Sequence, residues 1–189
     1  VEEEQREQTK KRNKLLYQSE HDELTGLYNK RSLNRYLEDV FEACKLNEKE
    51  LGILFLDIDY FKQLNDRYGH GKGDEGICAV ADTLKRIFPE DYVARYGGDE
   101  FLVVMTGRDL TYVMEHAELL CAGIREYKIP NEDSELEPWL TISVGGVCAI
   151  PREPNRVWDF LSAADNTLYE QKKEQKGKVR FYQGEGKYL

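Results

Sequence analysis

The chain has 189 residues, enough for one domain with a sizeable core and an appendage. It is 40% hydrophobic and 33% charged, with 27 Lys and Arg against 36 Asp and Glu, a formal net charge of −9. That balance excludes broad nucleic-acid binding, which needs a basic face, but leaves open a phosphate-rich small molecule bridged by a metal ion. Cys44, Cys78, Cys121 and Cys148 form no CxxC pair, so reduced core thiols are expected rather than zinc. No apolar run is long enough to span a bilayer and no signal peptide is visible. The chain opens on Val1, not Met, so a longer protein with a sensor or membrane anchor upstream is expected.

Residues 1–21, "VEEEQREQTKKRNKLLYQSEH", carry charges of both signs at helical spacing and no Gly or Pro. They predict a solvated helix; the sharper reading is the end of a signalling coiled coil. Its apolar positions, Val1, Leu15, Leu16 and Tyr17, are sparse for a heptad seam. "TGLYNKRSLNRYLEDVFEACKL" predicts a helix with Leu33, Tyr36, Leu37, Val40 and Phe41 on one side. "LGILFLDID" (51–59) is a buried strand, and "YFKQLNDRYGH" and "GDEGICAVADTLKRIF" are helices. "YVARY" and "EFLVVM" flank Gly97 and Gly98 as a hairpin, the glycines supplying positive φ at its tip. A helix over roughly 109–127 and an acidic loop, "IPNEDSELEP" (129–138), follow. "WLTISVGGVCAI" is a strand whose paired glycines mark a bulge or a close backbone approach. "VWDFLSAADNTLYEQKKEQK" is a helix and "KVRFY" the last strand. The fold class is therefore α/β, a mixed, largely antiparallel sheet flanked by helices. The expected parts are an N-terminal signalling-type helix (1–21), one domain (22–183) and a short tail (184–189).

The acids need an explanation. Asp57 and Asp59 end an otherwise apolar strand, and an ionised carboxylate there must find water, a donor or a metal. Period two puts both on one face of the sheet, where one can meet Asp99 of "RYGGDEF" (95–101). Carboxylates converging from two strands repel unless a cation joins them, and hard oxygens suit Mg²⁺ shared with substrate phosphates. The blander reading makes Asp57 and Asp59 caps of a loop or of the next helix, Asp59 standing immediately before "YFKQLN". "GHGKGDEG" (69–76) contains GxGxxG, but a helix separates it from the strand and no GK[ST] ends it. It predicts a loop entering a helix that begins near Asp74, with Asp74 as cap or first-turn residue. His70 reads as a turn-stabilising residue or a catalytic base. Lys62 and Lys172 read as solvated lysines or phosphate ligands, and Asn65 as a base-reading or backbone-satisfying amide.

Taken together these stretches resemble the GGDEF family of diguanylate cyclases. "DELTGLYNKRSL" (22–33), "LDIDYFKQLNDRYGHGKGDEGI" (56–77), "RYGGDEF", "TISVGG" (141–146) and "ADNTLYEQKK" (164–173) occur in the family's order over about residues 22–183. The resemblance implies a fold like the polymerase palm and the class III nucleotidyl cyclases. It implies that two GTP-loaded domains face each other as a homodimer, condensing two GTP into cyclic di-GMP with release of two pyrophosphates. Asp57 and Asp99 would bind Mg²⁺ (Mn²⁺ as a substitute) by carboxylate and Ile58 by its carbonyl. Glu100 would join the second metal or help activate the hydroxyl. Asn65 and Asp74 would read guanine. Lys62 and Lys172, with backbone amides near Tyr60 and Phe61, would hold phosphates, and Lys176 would take a second phosphate-binding role.

The chain also departs from the family. Its inhibitory product site, RxxD, has Asp91 in place but Phe88 where the Arg should stand, so no product inhibition through that site is expected. Arg86 lies two residues early. The glycine usual three residues after the phosphate-binding lysine is displaced to Gly177. The resemblance implies a cytoplasmic domain, anchored through any membrane segment upstream, and no nucleic-acid partner. The competing reading is a catalytically weak GGDEF module that binds GTP and regulates a partner domain. An adenine-dinucleotide enzyme is the third, and Asp74 argues against it.

Overall fold

The computed structural model describes residues 2–184 and Leu189; Val1 and tail residues 185–188, parts of the predicted first helix and tail, lie outside the described residues. Among the described residues six helices and five strands follow one another as α1 (Glu2–Glu20), α2 (Lys30–Leu46), β1 (Leu51–Ile58), α3 (Phe61–Tyr68), α4 (His70–Ile87), β2 (Tyr92–Arg95), β3 (Glu100–Thr106), α5 (Leu110–Glu126), β4 (Ile142–Ala149), α6 (Val157–Glu174) and β5 (Val179–Phe181). The sheet order is β2-β3-β1-β4-β5. Every pairing is antiparallel except β4 with β5, the mixed, largely antiparallel sheet expected.

β1 lies at the centre and all its residues are buried, which explains its unbroken apolar run. Its side chains divide by parity. Leu54, Leu56 and Ile58 join the core beneath α4 and α5, with Leu84, Val113 and Leu120. Leu51, Ile53 and Phe55 join the core beneath α2 and α6, with Leu37, Phe41 and Phe160. Asp57 has the parity of the second group, which aims it toward α6. Each fully buried Leu or Phe contributes roughly 1.5–3 kcal/mol, so these two layers hold the acidic end of β1 in place.

Helix boundaries depart from expectation where caps decide them. α2 starts at Lys30, not Thr25, because Asn29 accepts from the Ser32 amide at 3.0 Å. Upstream, Asp22 accepts from both the amide and the hydroxyl of Thr25, closing a turn that composition alone reads as helix. The glycine-rich stretch is not a loop. α4 begins at His70, so Asp74 is neither its cap nor in its first turn. Gly69, at φ 85°, is the break between α3 and α4.

Asp59 is not the cap of α3 either; Tyr60 occupies that position, in the left-handed region, with no side-chain cap. Gly97 and Gly98 do not supply positive φ. A β-carbon on Gly97 would lie 2.8 Å from Glu100 Oε2, so this glycine makes room for the signature carboxylate rather than for the turn. The cysteines correct a further expectation: Cys44 and Cys121 are buried, but Cys78 and Cys148 are only partly covered. Burial pushes the Cys121 and Cys148 thiols up to about 12. Among the described residues no helix is long and apolar enough to cross a membrane.

The paired glycines of β4 mark close approach without a bulge, since the register with β1 runs unbroken from Leu51–Ala149 to Ile58–Ile142. A β-carbon on Gly145 would lie 2.3 Å from Leu168 N and 2.4 Å from Ala164 O, both backbone atoms of α6. Gly145→Ala must push α6 off the sheet. We expect it to cost about 3 kcal/mol, seen as a fall of roughly 6–12 °C in Tm. Gly98→Ala, with nothing within 4 Å, should leave the melt unchanged.

Candidate active site

Three segments bring the acids together at the Ile58 end of β1. In the antiparallel register Asp57 stands opposite Glu100 on one side and Ser143 on the other. The Ile58 amide donates to the Asp99 carbonyl at 3.2 Å, stitching the hairpin tip to the strand end. Arg95 steadies that tip: its guanidinium donates to the Gly97 and Gly98 carbonyls at 2.7–3.1 Å and pairs with Asp22 at 3.1 Å.

Asp57 and Asp59 have different partners. Lys172 of α6 donates to Asp57 Oδ2, while Asp57 Oδ1 is buried with no hydrogen-bond partner. Asp59 accepts from the Thr141 hydroxyl at 2.8 Å and the Ser143 hydroxyl at 2.6 Å. Asp59 is therefore satisfied by protein, and Asp57 keeps a free acceptor.

Burial raises the pKa of every carboxylate here. Asp57 goes up to about 6 because burial outweighs the opposing hydrogen bond and charge of Lys172. Asp59 is raised by burial against the two hydroxyls. Asp99 is raised by burial, and Glu100 by burial with repulsion from Asp99 and Asp165. Burial works against the Lys172 ammonium, but the hydrogen bond and charge of Asp57, then Asp59 and Asp99, hold its pKa up. One lysine among four acids leaves a site short of positive charge.

The residues fit a hard divalent cation. Among the described residues, no three His, Cys, Asp or Glu side chains form a ready-made metal cage. The site instead offers Asp57 with its orphaned Oδ1, Asp99, Glu100 and the Ile58 backbone. A partial oxygen set of this kind is what a small divalent cation completes with water and phosphate oxygens.

The other predicted residues lie on α3, α4 and the turns beside them, with Lys176 just after α6. Lys62 is exposed in the first turn of α3, which begins at Phe61. Tyr60 sits at φ 53°, with the Lys176 ammonium 5.2 Å from its ring centroid. With no side-chain cap on α3, the amides of its first turn remain free for an anion. Asn65 Oδ1 is buried without a partner, and a β-carbon on Gly73 would fall 1.9 Å from it. Gly73 thus lets Asn65 lie flat against α4 beside the exposed Asp74. His70 is exposed at the start of α4. Phe88 is 1% exposed, in the core, and Asp91 is half-buried nearby. A groove of about 730 Å³, lined by Lys45, Glu48 and Arg152, lies at the opposite end of β1 and includes none of these residues.

Thr141, Ser143, Arg95 and Asn131 were not singled out by sequence. The alternating hydroxyls of "TIS" inside a buried strand are a readable signal for the first two. Asn131 carries no such mark.

A five-stranded antiparallel-centred sheet with carboxylates at one end of its central strand and its adjoining hairpin defines a palm-like nucleotidyl cyclase fold. The chain belongs to the GGDEF family: the family model described as "Diguanylate cyclase, GGDEF domain" matches residues 19–178. It is 32% identical over 162 residues to the probable diguanylate cyclase DgcC of Escherichia coli K12, covering 85% of this chain and 42% of that protein. It is 31% identical over 169 residues to the cyclic di-GMP phosphodiesterase NbdA of Pseudomonas aeruginosa, covering 89% of this chain and 21% of that protein. The chain thus spans less than half the length of these relatives. Among solved structures, the coiled coil and GGDEF domain of DgcB from Caulobacter crescentus, in complex with c-di-GMP, superposes with a TM-score of 0.84 at 24% identity. That match covers 94% of this chain and 93% of the other.

Proposed function

We propose that this domain is a diguanylate cyclase that condenses two GTP into cyclic di-GMP across a homodimer. The observation that carries this reading is the convergence of Asp57, Asp99 and Glu100, with Asp57 Oδ1 unpaired and Lys172 the adjoining cation. Asp57 and Asp99 would hold Mg²⁺, or Mn²⁺ in its place, by carboxylate and Ile58 by its carbonyl. When bound, the metal neutralises phosphate charge and polarises the reacting oxygens. Lys172, which pairs with Asp57, would turn to the triphosphate, and Lys62, Lys176 and the amides of Tyr60 and Phe61 would add to its grip. Asn65 and Asp74 hold the guanine edge, Asp74 accepting from N–H groups that adenine does not present.

Each domain orients one nucleotide for attack on the other. The 3′-oxygen of one GTP forms a bond to the α-phosphorus of its partner, the bond from that phosphorus to the β-phosphate bridge breaks, and pyrophosphate leaves. The same exchange in the other direction closes the ring. Glu100 either completes a second metal or takes up the hydroxyl proton. The chemistry calls for the cytoplasm, where GTP is held, and for a sensor region outside this chain to set dimer geometry.

The experiment is to incubate micromolar protein with GTP and Mg²⁺, raise protein stepwise, and identify nucleotides by chromatography with mass detection. Cyclic di-GMP should rise more than linearly with protein, because each monomer holds half a reaction centre. α1 leaves Leu15, Leu16 and Tyr17 exposed, so its removal should shift that curve to higher protein concentration. A second reading, a GTP-binding module that regulates a partner, draws support from the phosphodiesterase relative. It would be favoured by GTP binding with no product at any concentration.

A further inference from the structure

Asn131 is 0% exposed, in the loop between α5 and β4. Its backbone is fixed: its N–H donates to Pro138 O at 2.8 Å, and its carbonyl accepts from Ser134 N at 3.0 Å. The loop is closed behind it by Leu140 N donating to Ile129 O at 2.8 Å. From this anchored position Asn131 Nδ2 donates to two carbonyls, those of Asp59 and Tyr60, each at 3.5 Å. Its Oδ1 is buried with no partner. An apolar side chain of the same size would avoid that orphaned acceptor, so stability alone is a poor reason for an asparagine here.

The two carbonyls flank the most unusual backbone in the site. Tyr60 adopts φ 53°, ψ 35°, a conformation a bulky residue holds only when its surroundings impose it. The same loop grips α3 at its far end, where Glu132 and Asp133 pair with Arg67 at 2.5 and 2.9 Å. Glu135 also meets the Tyr60 hydroxyl at 3.4 Å. The acidic loop therefore clamps α3 at both ends, with Asn131 as its buried contact to the turn.

We propose that Asn131 is a positioning residue that locks the Asp59–Tyr60 turn, so that the Ile58 carbonyl and the Tyr60 and Phe61 amides face the metal-bound triphosphate. This rests on the function proposed above and assigns the 129–138 loop a part in it. Asn131 touches neither substrate nor metal; it acts through the backbone of Tyr60.

The test is the binding of a non-hydrolysable GTP analogue with Mg²⁺, compared with guanosine, alongside KM and kcat for GTP. Asn131→Ala should weaken analogue binding and raise KM about tenfold, the low end of what supporting contacts around a metal site contribute, and leave guanosine binding unchanged. Tyr60→Asn places a residue that tolerates the left-handed region at the strained position. On that background the loss caused by Asn131→Ala should shrink to threefold or less, a coupling that a general packing role does not produce. Equal loss of guanosine and analogue binding, or an undiminished loss in the double variant, overturns the proposal. If Asn131→Ala does not fold, Asn131→Ser, too short to span both carbonyls, is read by the same criteria. A parent protein that binds no triphosphate would instead refute the function above, because this comparison needs no turnover.

Discussion

Asp99→Ala should lose about a thousandfold in cyclic di-GMP formation and none of its thermal stability. The first half follows from the proposed metal site. A divalent cation supplies several kcal/mol of transition-state charge stabilisation, and roughly 4 kcal/mol corresponds to a thousandfold in rate. The second half follows from the sign of the titrations. Burial raises the Asp99 carboxyl above its ordinary value, so the folded chain binds a proton there more tightly than the unfolded chain does. Such a group favours the folded state at low pH, and that advantage is lost as pH rises through its unfolded and then its folded pKa. Above that raised pKa the ionised Asp99 is thus a cost in the metal-free protein, and its removal also relieves repulsion on Asp57 and Glu100. A thermal melt and a turnover assay on the same preparation check both halves. Unaltered turnover would sink the metal assignment; a large fall in Tm would show that Asp99 holds the hairpin together instead.

That separation explains which parts of the molecule were legible in its sequence. β1 was readable because a strand buried on both faces has to be apolar throughout, which made Asp57 and Asp59 stand out. The difference between them was not readable. Asp59 is satisfied by Thr141 and Ser143, 82 and 84 residues away, and only the β1–β4 register brings them together. The glycine-rich stretch misled for a related reason. Gly, a poor helix former, suggests a loop, yet Gly73 and Gly76 lie inside α4, and they are glycine because Asn65 and Leu140 sit where their β-carbons would be. At Gly97 the same thing happens with Glu100. Local propensity reports what a residue prefers alone; these glycines answer to neighbours that sequence does not place. Asn131 is the extreme case, an amide in a loop of turn formers whose role is set by carbonyls 71 and 72 residues away.

Phe88→Arg is expected to destabilise the domain strongly rather than restore a product site. From sequence the substitution looks like a simple repair, since Asp91 already stands six residues before Gly97. The structure shows what position 88 holds. Phe88 follows the last turn of α4, is 1% exposed, and shares its core with Leu27, Leu84 and Val93. Its ring lies 6.0 Å from His116 of α5. An arginine there must bury an unpaired guanidinium or withdraw it and leave a void. The first costs about 3–5 kcal/mol and the second a similar amount for a lost Phe, so Tm should fall by roughly 10 °C or more. Arg86 does not serve as a substitute; its guanidinium lies against Gly123 of α5, 3.1 Å from where a β-carbon would sit. If the proposed activity holds, the parent domain should accordingly give progress curves that added cyclic di-GMP does not bend through this site. A Phe88→Arg protein that melts normally and becomes product-inhibited would show that α4 can turn this position outward, and the core assignment of Phe88 would fall with it.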